Sequence, residues 1–380
     1  MKIRYRVADR SDVFRLMELY QKYTPHGGTD PIFLSYSRLE ETLKGETALF
    51  LVAEEDGLLR GAISIGLDRA QRIAKLYRML FDGSLSDPRS LLRTLLDFTV
   101  KELKRLVPDL DLIYSTSLTL SPESIQITED YGFRLLGIFP NAVSEDRSAM
   151  NGLTAFFFPG VLEQKRMTGF SLHPTLQALY GVTREVCGLP ELPPDPSVHE
   201  LDRREKQAPM PELERIDARK FVQNRFLQLK ASQSLDTYYP FYMPNVLICS
   251  PDEEIEVFAR LDSVTRFAAV IGERVRKSVD PVALEVAVSN LLRQCGSSYV
   301  EVINDAADTL GNEAFLRAGF TPCAYFPCLK LHGDQRRDYV VFGRSFEYVV
   351  HPSTKLPELY RRYFDAYSEI ELRRYGILRR

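Results

Sequence analysis

Few residues in this chain have both the type and the spacing to do chemistry. Five cysteines, Cys187, Cys249, Cys295, Cys323 and Cys328, form no CxxC pair, and five histidines show no HExxH or other ligand spacing. That pattern predicts free thiols, a reducing cytoplasmic setting and no dedicated metal site. More regular are two Asp-Pro pairs, Asp87-Pro88 and Asp280-Pro281, each opening a run with helical period. Aspartate is a strong N-cap and proline suits the first helical position. Each helix is therefore expected to start with a carboxylate turned onto its own free N–H groups. Basic residues stand beside both starts: Arg89 at the first, Arg274, Arg276 and Lys277 at the second. Glu273 precedes the second group. A carboxylate there serves as a base near neutral pH only if burial raises its pKa; an exposed strand end is the plainer reading. The run Tyr238-Tyr239-Pro240-Phe241-Tyr242 could cover a ligand or pack between domains. Stacking on nucleic-acid bases would need a basic surround, which is missing.

These groups need elements to hold them. A chain of 380 residues is long for one core, so two domains are expected. Its apolar share of 44% and charged share of 27% are those of an ordinary globular protein. With a net charge of −3 and a pI near 6.1, nucleic acid is not the expected partner. No apolar run approaches the roughly 18 residues that a membrane span needs, and the N-terminus MKIRYRVADR lacks the apolar core of a signal peptide.

The clearest local pattern is Leu51 to Ile65. Val52-Ala53-Glu54, then Asp56-Gly57, then a return through Arg60-Gly61 predicts a hairpin, because Asp-Gly tolerates φ > 0 between two runs of β-formers. A strand over Lys2 to Val7 and a helix over Asp9 to Tyr20, capped by Asp9 or Ser11, come before it. A short helix from Tyr36 to Leu43 follows them. After the hairpin the pattern predicts a strand Ile73 to Leu80 and a helix from Asp87 to about Leu103 with Leu91, Leu92, Leu95 and Phe98 toward a sheet. Further strands at Leu110 to Ser115, Phe133 to Phe139 and Leu153 to Phe158 flank a helix at Ser121 to Tyr131.

The second half echoes the first. Gly132-Phe133 and Phe139-Pro140 recur as Gly319-Phe320 and Phe326-Pro327, each 187 residues on (319 less 132). Asp87-Pro88 recurs as Asp280-Pro281. A period this long is not a solenoid and implies two copies of one domain. The expected division is an N-terminal module over 1–160, a connecting helix and Pro-rich linker over 161–195, a C-terminal module over 196–350, and an amphipathic helix over 351–380.

The hairpin Leu51 to Ile65, the string Asn312 to Phe320 (NEAFLRAGF) and the element order together resemble the GNAT superfamily of acyl-CoA-dependent N-acyltransferases. The resemblance implies an α/β fold of two tandem GNAT-like modules, each a mixed central sheet flanked by helices. It implies acetyl-CoA or another acyl-CoA as substrate, no metal, and a small-molecule or peptide amine as acceptor, with neither nucleic acid nor membrane as partner. The family's glycine-rich diphosphate loop is replaced by FDGSLSDPRSLL and GERVRKSVDPVALE. Arg89, Arg274, Arg276 and Lys277 are then the candidates to hold the diphosphate. Asn304 matches a pantetheine-contacting position, though it could equally be a turn residue capping its strand; Asn312 matches a family asparagine; both join the cofactor-binding candidates, and Glu273 matches a general base. The family's acidic tyrosine is replaced by Thr128 and Phe315, neither of which can do its work. The expected function is transfer of an acyl group to an amine. The alternative is a catalytically inactive tandem protein that binds an acyl-CoA or a protein partner.

Overall fold

The structure is a computed structural model and describes residues 3–23, 32–118, 122–142, 150–198, 209–237, 239, 241–347, 349 and 356–374. The chain forms two compact units. The first comprises Met1–Ser117, Ser121–Arg134 and Thr154–Val161; the second comprises Leu118–Leu120, Leu135–Leu153 and Leu162–Arg380. Leu135–Leu153 thus groups with the second unit although it lies in the first half of the chain.

In the first half the elements run β1 (Arg4–Val7), α1 (Val13–Tyr23), α2 (Tyr36–Lys44), β2 (Ala48–Glu55), β3 (Leu58–Asp68), β4 (Ile73–Phe81), α3 (Pro88–Leu106), β5 (Leu112–Leu118), α4 (Pro122–Asp130), β6 (Arg134–Pro140) and β7 (Met150–Phe157). The first unit's sheet has the order β1-β2-β3-β4-β5, antiparallel except for the parallel pair β4 and β5. Asp56 (φ 51°) and Gly57 (φ 80°) turn β2 into β3 with two positive φ values, as the Asp-Gly pair predicts. Gly61 has a packing reason: a Cβ there would lie 2.7 Å from Leu91 Cδ2 of α3. On the opposite face, Leu16, Leu19 and Tyr20 of α1 pack with Phe50, Val52, Ala62 and Leu80. Asp9 caps a short 3-10 turn ahead of α1, accepting from Ser11 N, while Asp12 returns the bond to Asp9 N.

After α5 (Gln177–Cys187) the second half runs β8 (Glu214–Ile216), α6 (Arg219–Ala231), β9 (Asp236–Thr237), β10 (Val246–Cys249), β11 (Ile255–Asp262), β12 (Phe267–Val275), α7 (Pro281–Gln294), β13 (Tyr299–Asp305), α8 (Thr309–Arg317), β14 (Thr321–His332), β15 (Gln335–Ser345) and α9 (Glu358–Arg374). The order matches the first half with one difference: β9 stands where the first half has α2. The second unit's sheet reads β8-β10-β11-β12-β13-β15-β14-β6, with β12 and β13 parallel. β6 pairs antiparallel with β14 through Gly137 and Ala324. These two positions are 187 residues apart, the same offset that relates the repeated strings. Gly137 lets the strands approach, since a Cβ on it would lie 2.3 Å from Ala324 Cα. On α9, Tyr360, Tyr363, Phe364, Tyr367 and Ile370 are buried, the apolar side its period predicts.

Candidate functional site

In the first unit, β4 and β5 start as partners and then diverge. Their register runs from Ile73↔Leu112 to Leu76↔Ser115 and stops, although β4 continues to Phe81 and β5 to Leu118. The cause lies on the other side of β4. Opposite Ser64 and Ile65 the register skips Tyr77, a β-bulge that bends and twists the strand. Among the described residues no strand covers the β5-facing edge of β4 beyond Leu76. A diverging parallel pair of this kind offers backbone N–H and C=O groups to an extended, amide-bearing ligand. At the throat the buried Lys75 ammonium lies 5.3 Å from the Tyr77 ring and 5.5 Å from the Tyr114 ring.

The loop from β4 to α3 is acidic. Asp82, 3% exposed, accepts from Arg60 Nη1 (2.9 Å), Ser84 N (3.0 Å), Ser84 Oγ (2.6 Å) and the Tyr23 hydroxyl. Burial alone would raise its pKa; the bonds from Ser84, Tyr23 and Arg60 outweigh burial and hold it well below the usual carboxylate range. Asp87 caps α3 through Ser90 N at 3.0 Å, with Pro88 in the first turn. A carboxylate therefore sits on the helix terminus that would otherwise attract an anion. Arg89 is exposed in that first turn.

In the second unit β12 and β13 also diverge, after only three pairs ending at Ala269↔Glu301, and β12 carries the matching bulge at Ile271. Here the freed edge is occupied. β9 pairs with β12 at Gly272↔Thr237 and Glu273↔Asp236. Tyr239 donates its hydroxyl to Glu301, and Lys330 Nζ donates to Thr237 O. Asp280 caps α7 through Ala283 N at 2.8 Å, repeating the carboxylate found on α3.

The structure does not bring the sequence-predicted residues of this unit together as one anion site. Arg274 is buried and paired with Glu256, which Arg225 also binds at 2.8 and 3.2 Å. Lys277 bonds Asp252 at 2.8 Å. Arg276 is exposed, and its backbone N–H donates to Glu254 O. Asn304 and Asn312 do meet, but on each other: Asn304 Nδ2 donates to Asn312 Oδ1 at 3.0 Å, and Asn312 Nδ2 donates to the carbonyls of Asp305 and Ala306. They clamp the end of β13 onto α8. Glu273 is half-buried on β12; burial, with the Glu273 charge beside it, pushes the Glu285 carboxyl of α7 well above the ordinary range. Phe315 packs with Phe320 and Phe342, and Thr128 is buried in α4.

Sequence reasoning missed Asp82, β9 and Glu285. Asp82 was legible only as the start of Asp-Gly-Ser, an ordinary turn string. Nothing in a two-residue strand advertises itself. Among the described residues, no cluster of three or more His, Cys, Asp or Glu could hold a metal ion, and no helix is long and apolar enough to cross a membrane.

No protein-family profile matches the chain, and no curated protein matches it. Among solved structures, it is similar to an acetyltransferase of the GNAT family from Streptococcus pneumoniae, at 18% identity and a TM-score of 0.36, over 41% of this chain and 100% of that one. It is also similar to the ribosomal-protein-S18-alanine N-acetyltransferase from Escherichia coli, at 15% identity and 0.36, over 44% and 100%. A third is the PaiA N-acetyltransferase from Thermoplasma acidophilum in complex with coenzyme A, at 15% and 0.33, over 42% and 100%. Part of this chain resembles GNAT acetyltransferases. Each of these solved chains is matched along its whole length by about two-fifths of this one.

Proposed function

We propose that the chain is a tandem GNAT-like protein that transfers an acyl group from a coenzyme A thioester to an amine, using the first unit. The observation that carries this reading is the divergence of β4 from β5 beside the bulge at Tyr77. The amine nitrogen attacks the thioester carbonyl, the new C–N bond forms, the C–S bond breaks, and the proton lost from the amine passes to the departing thiolate, which leaves as free thiol. In this reading, backbone N–H groups of β4 past the bulge stabilise the oxyanion. No covalent intermediate on the protein is needed, which agrees with thiols that lie mostly buried. The acceptor is a small-molecule or peptide amine.

One observation favours the second reading, a protein that binds the thioester without turning it over. Asp82 and Asp87 put two carboxylates on the loop where a diphosphate would approach α3. Amine-dependent release of free thiol from acetyl-CoA or longer acyl-CoAs, followed with a thiol-reactive dye, separates the two. Thiol release that depends on the amine supports transfer. Saturable binding without release leaves the binding role, and neither result with any acyl length sinks both.

A further inference from the structure

The chain carries a diverging strand pair in each unit, and among the described residues a further strand pairs into only the second. In the first unit the β4–β5 ladder ends at Leu76↔Ser115, and among the described residues no other strand joins β4 on that side. In the second unit Gly272 and Glu273 of β12, past the end of its ladder with β13, are paired by Thr237 and Asp236.

Three further contacts hold that insert in place. The Tyr239 hydroxyl donates to Glu301, the last β13 residue paired with β12, so the side chain spans the gap where the strands part. Burial, with the Glu301 charge beside it, pushes the Tyr239 phenol upward, which keeps it protonated and a donor. The Tyr239 and Tyr242 rings lie 5.2 Å apart and pack against a core of Phe226, Leu247, Phe258 and Ile271. Lys330, on β14, holds the Thr237 carbonyl. A ligand entering this gap would have to break the β9 ladder, expose the tyrosine rings, and break the bond from the Tyr239 hydroxyl to Glu301. Each step opposes binding in the same direction.

We propose that β9 together with Tyr239 and Tyr242 permanently occupies the second unit's strand gap, so that this unit takes no acyl thioester and one chain holds one. The inference rests on the reading that a diverging pair of this kind is a thioester slot. It gives β9, the element that replaces α2, a reason to exist: a strand edge that would otherwise stay open is closed from within.

Residue-resolved hydrogen exchange on the full chain, with and without acetyl-CoA, tests it. The β12 amides from Ile271 to Arg274 that do not face β11 are expected to be protected in the free protein and unchanged by acetyl-CoA, while those of β4 from Tyr77 to Phe81 gain protection. Fast exchange at Ile271–Arg274 in the free protein, or added protection there with acetyl-CoA, overturns the proposal. If Ile271–Arg274 is protected from the start and acetyl-CoA changes nothing in either unit, the filled gap stands and the acyl-transfer reading fails. Tyr239→Phe should speed exchange at these amides at least about fivefold by removing the donor to Glu301. Exchange as slow as in the parent protein, at an unchanged unfolding midpoint, would show that Tyr239 does not hold the insert.

Discussion

Replacing Asp87 by serine should make acetyl-CoA bind more tightly. Serine caps a helix about as well as aspartate, so α3 keeps its start while the charge goes. The size of the gain follows from the cap geometry. Asp87 Oδ1 is 3.0 Å from Ser90 N. A phosphate oxygen accepting from the same donor would sit about 3 Å from it and so about 5 Å from the carboxylate. At that separation, two phosphate charges repel one carboxylate by about 1.7 kcal/mol in water-like surroundings. Screening at physiological salt roughly halves this, leaving about 1 kcal/mol, or about fivefold in Kd. Titration calorimetry of Asp87→Ser at two salt concentrations checks it, and the gain should shrink as salt rises. Unchanged or weaker binding would mean that the diphosphate does not approach α3, and the electrostatic part of this account would be wrong.

Gly137→Ala should destabilise the protein by about 1–3 kcal/mol, because the new Cβ meets backbone, Ala324 Cα and Cys323 O at 2.3 Å, rather than a side chain that could swing away; an unchanged denaturation midpoint would contradict the close strand approach. Asp82 is held below its ordinary pKa, so its contribution to stability is complete above the unfolded value near 3.8 and is lost as pH falls below it. Asp82→Asn should therefore lower stability at pH 7 and flatten the acid limb of the stability curve; a limb of unchanged slope would clear Asp82 of that part. Glu273→Gln should leave amine acylation within about twofold of the parent rate, since Glu273 lies beside the filled gap of the second unit, whereas loss of a general base costs about a hundredfold or more. A drop of that larger size would place the chemistry in the second unit.

What could be read from the chain was local or periodic. The Asp56-Gly57 turn and the Asp87 and Asp280 caps need only their immediate neighbours, and all three form as read. The helix phase of α3 came out nearly right: Leu91, Leu92 and Leu95 are buried, but Phe98 is half-buried while Leu96 and Val100 go inside. Contacts that join distant positions were not legible. Asp82 depends on Tyr23, 59 residues earlier, and on Arg60. Arg274, basic and beside a helix start, looked free for an anion; its partner Glu256 lies on the neighbouring strand and claims it. Asn304 and Asn312 were singled out as ligand-facing, and only the turn between β13 and α8 shows that they face each other. β9 is two residues long and exists because β12 has an edge to cover, which no local pattern announces.

Titrating acetyl-CoA into the full chain in a calorimeter tests the central claim most directly. Saturable heat with one equivalent per chain is the predicted result. Two equivalents would show that the second gap is open, and no heat with any acyl-CoA would remove the thioester from the account altogether.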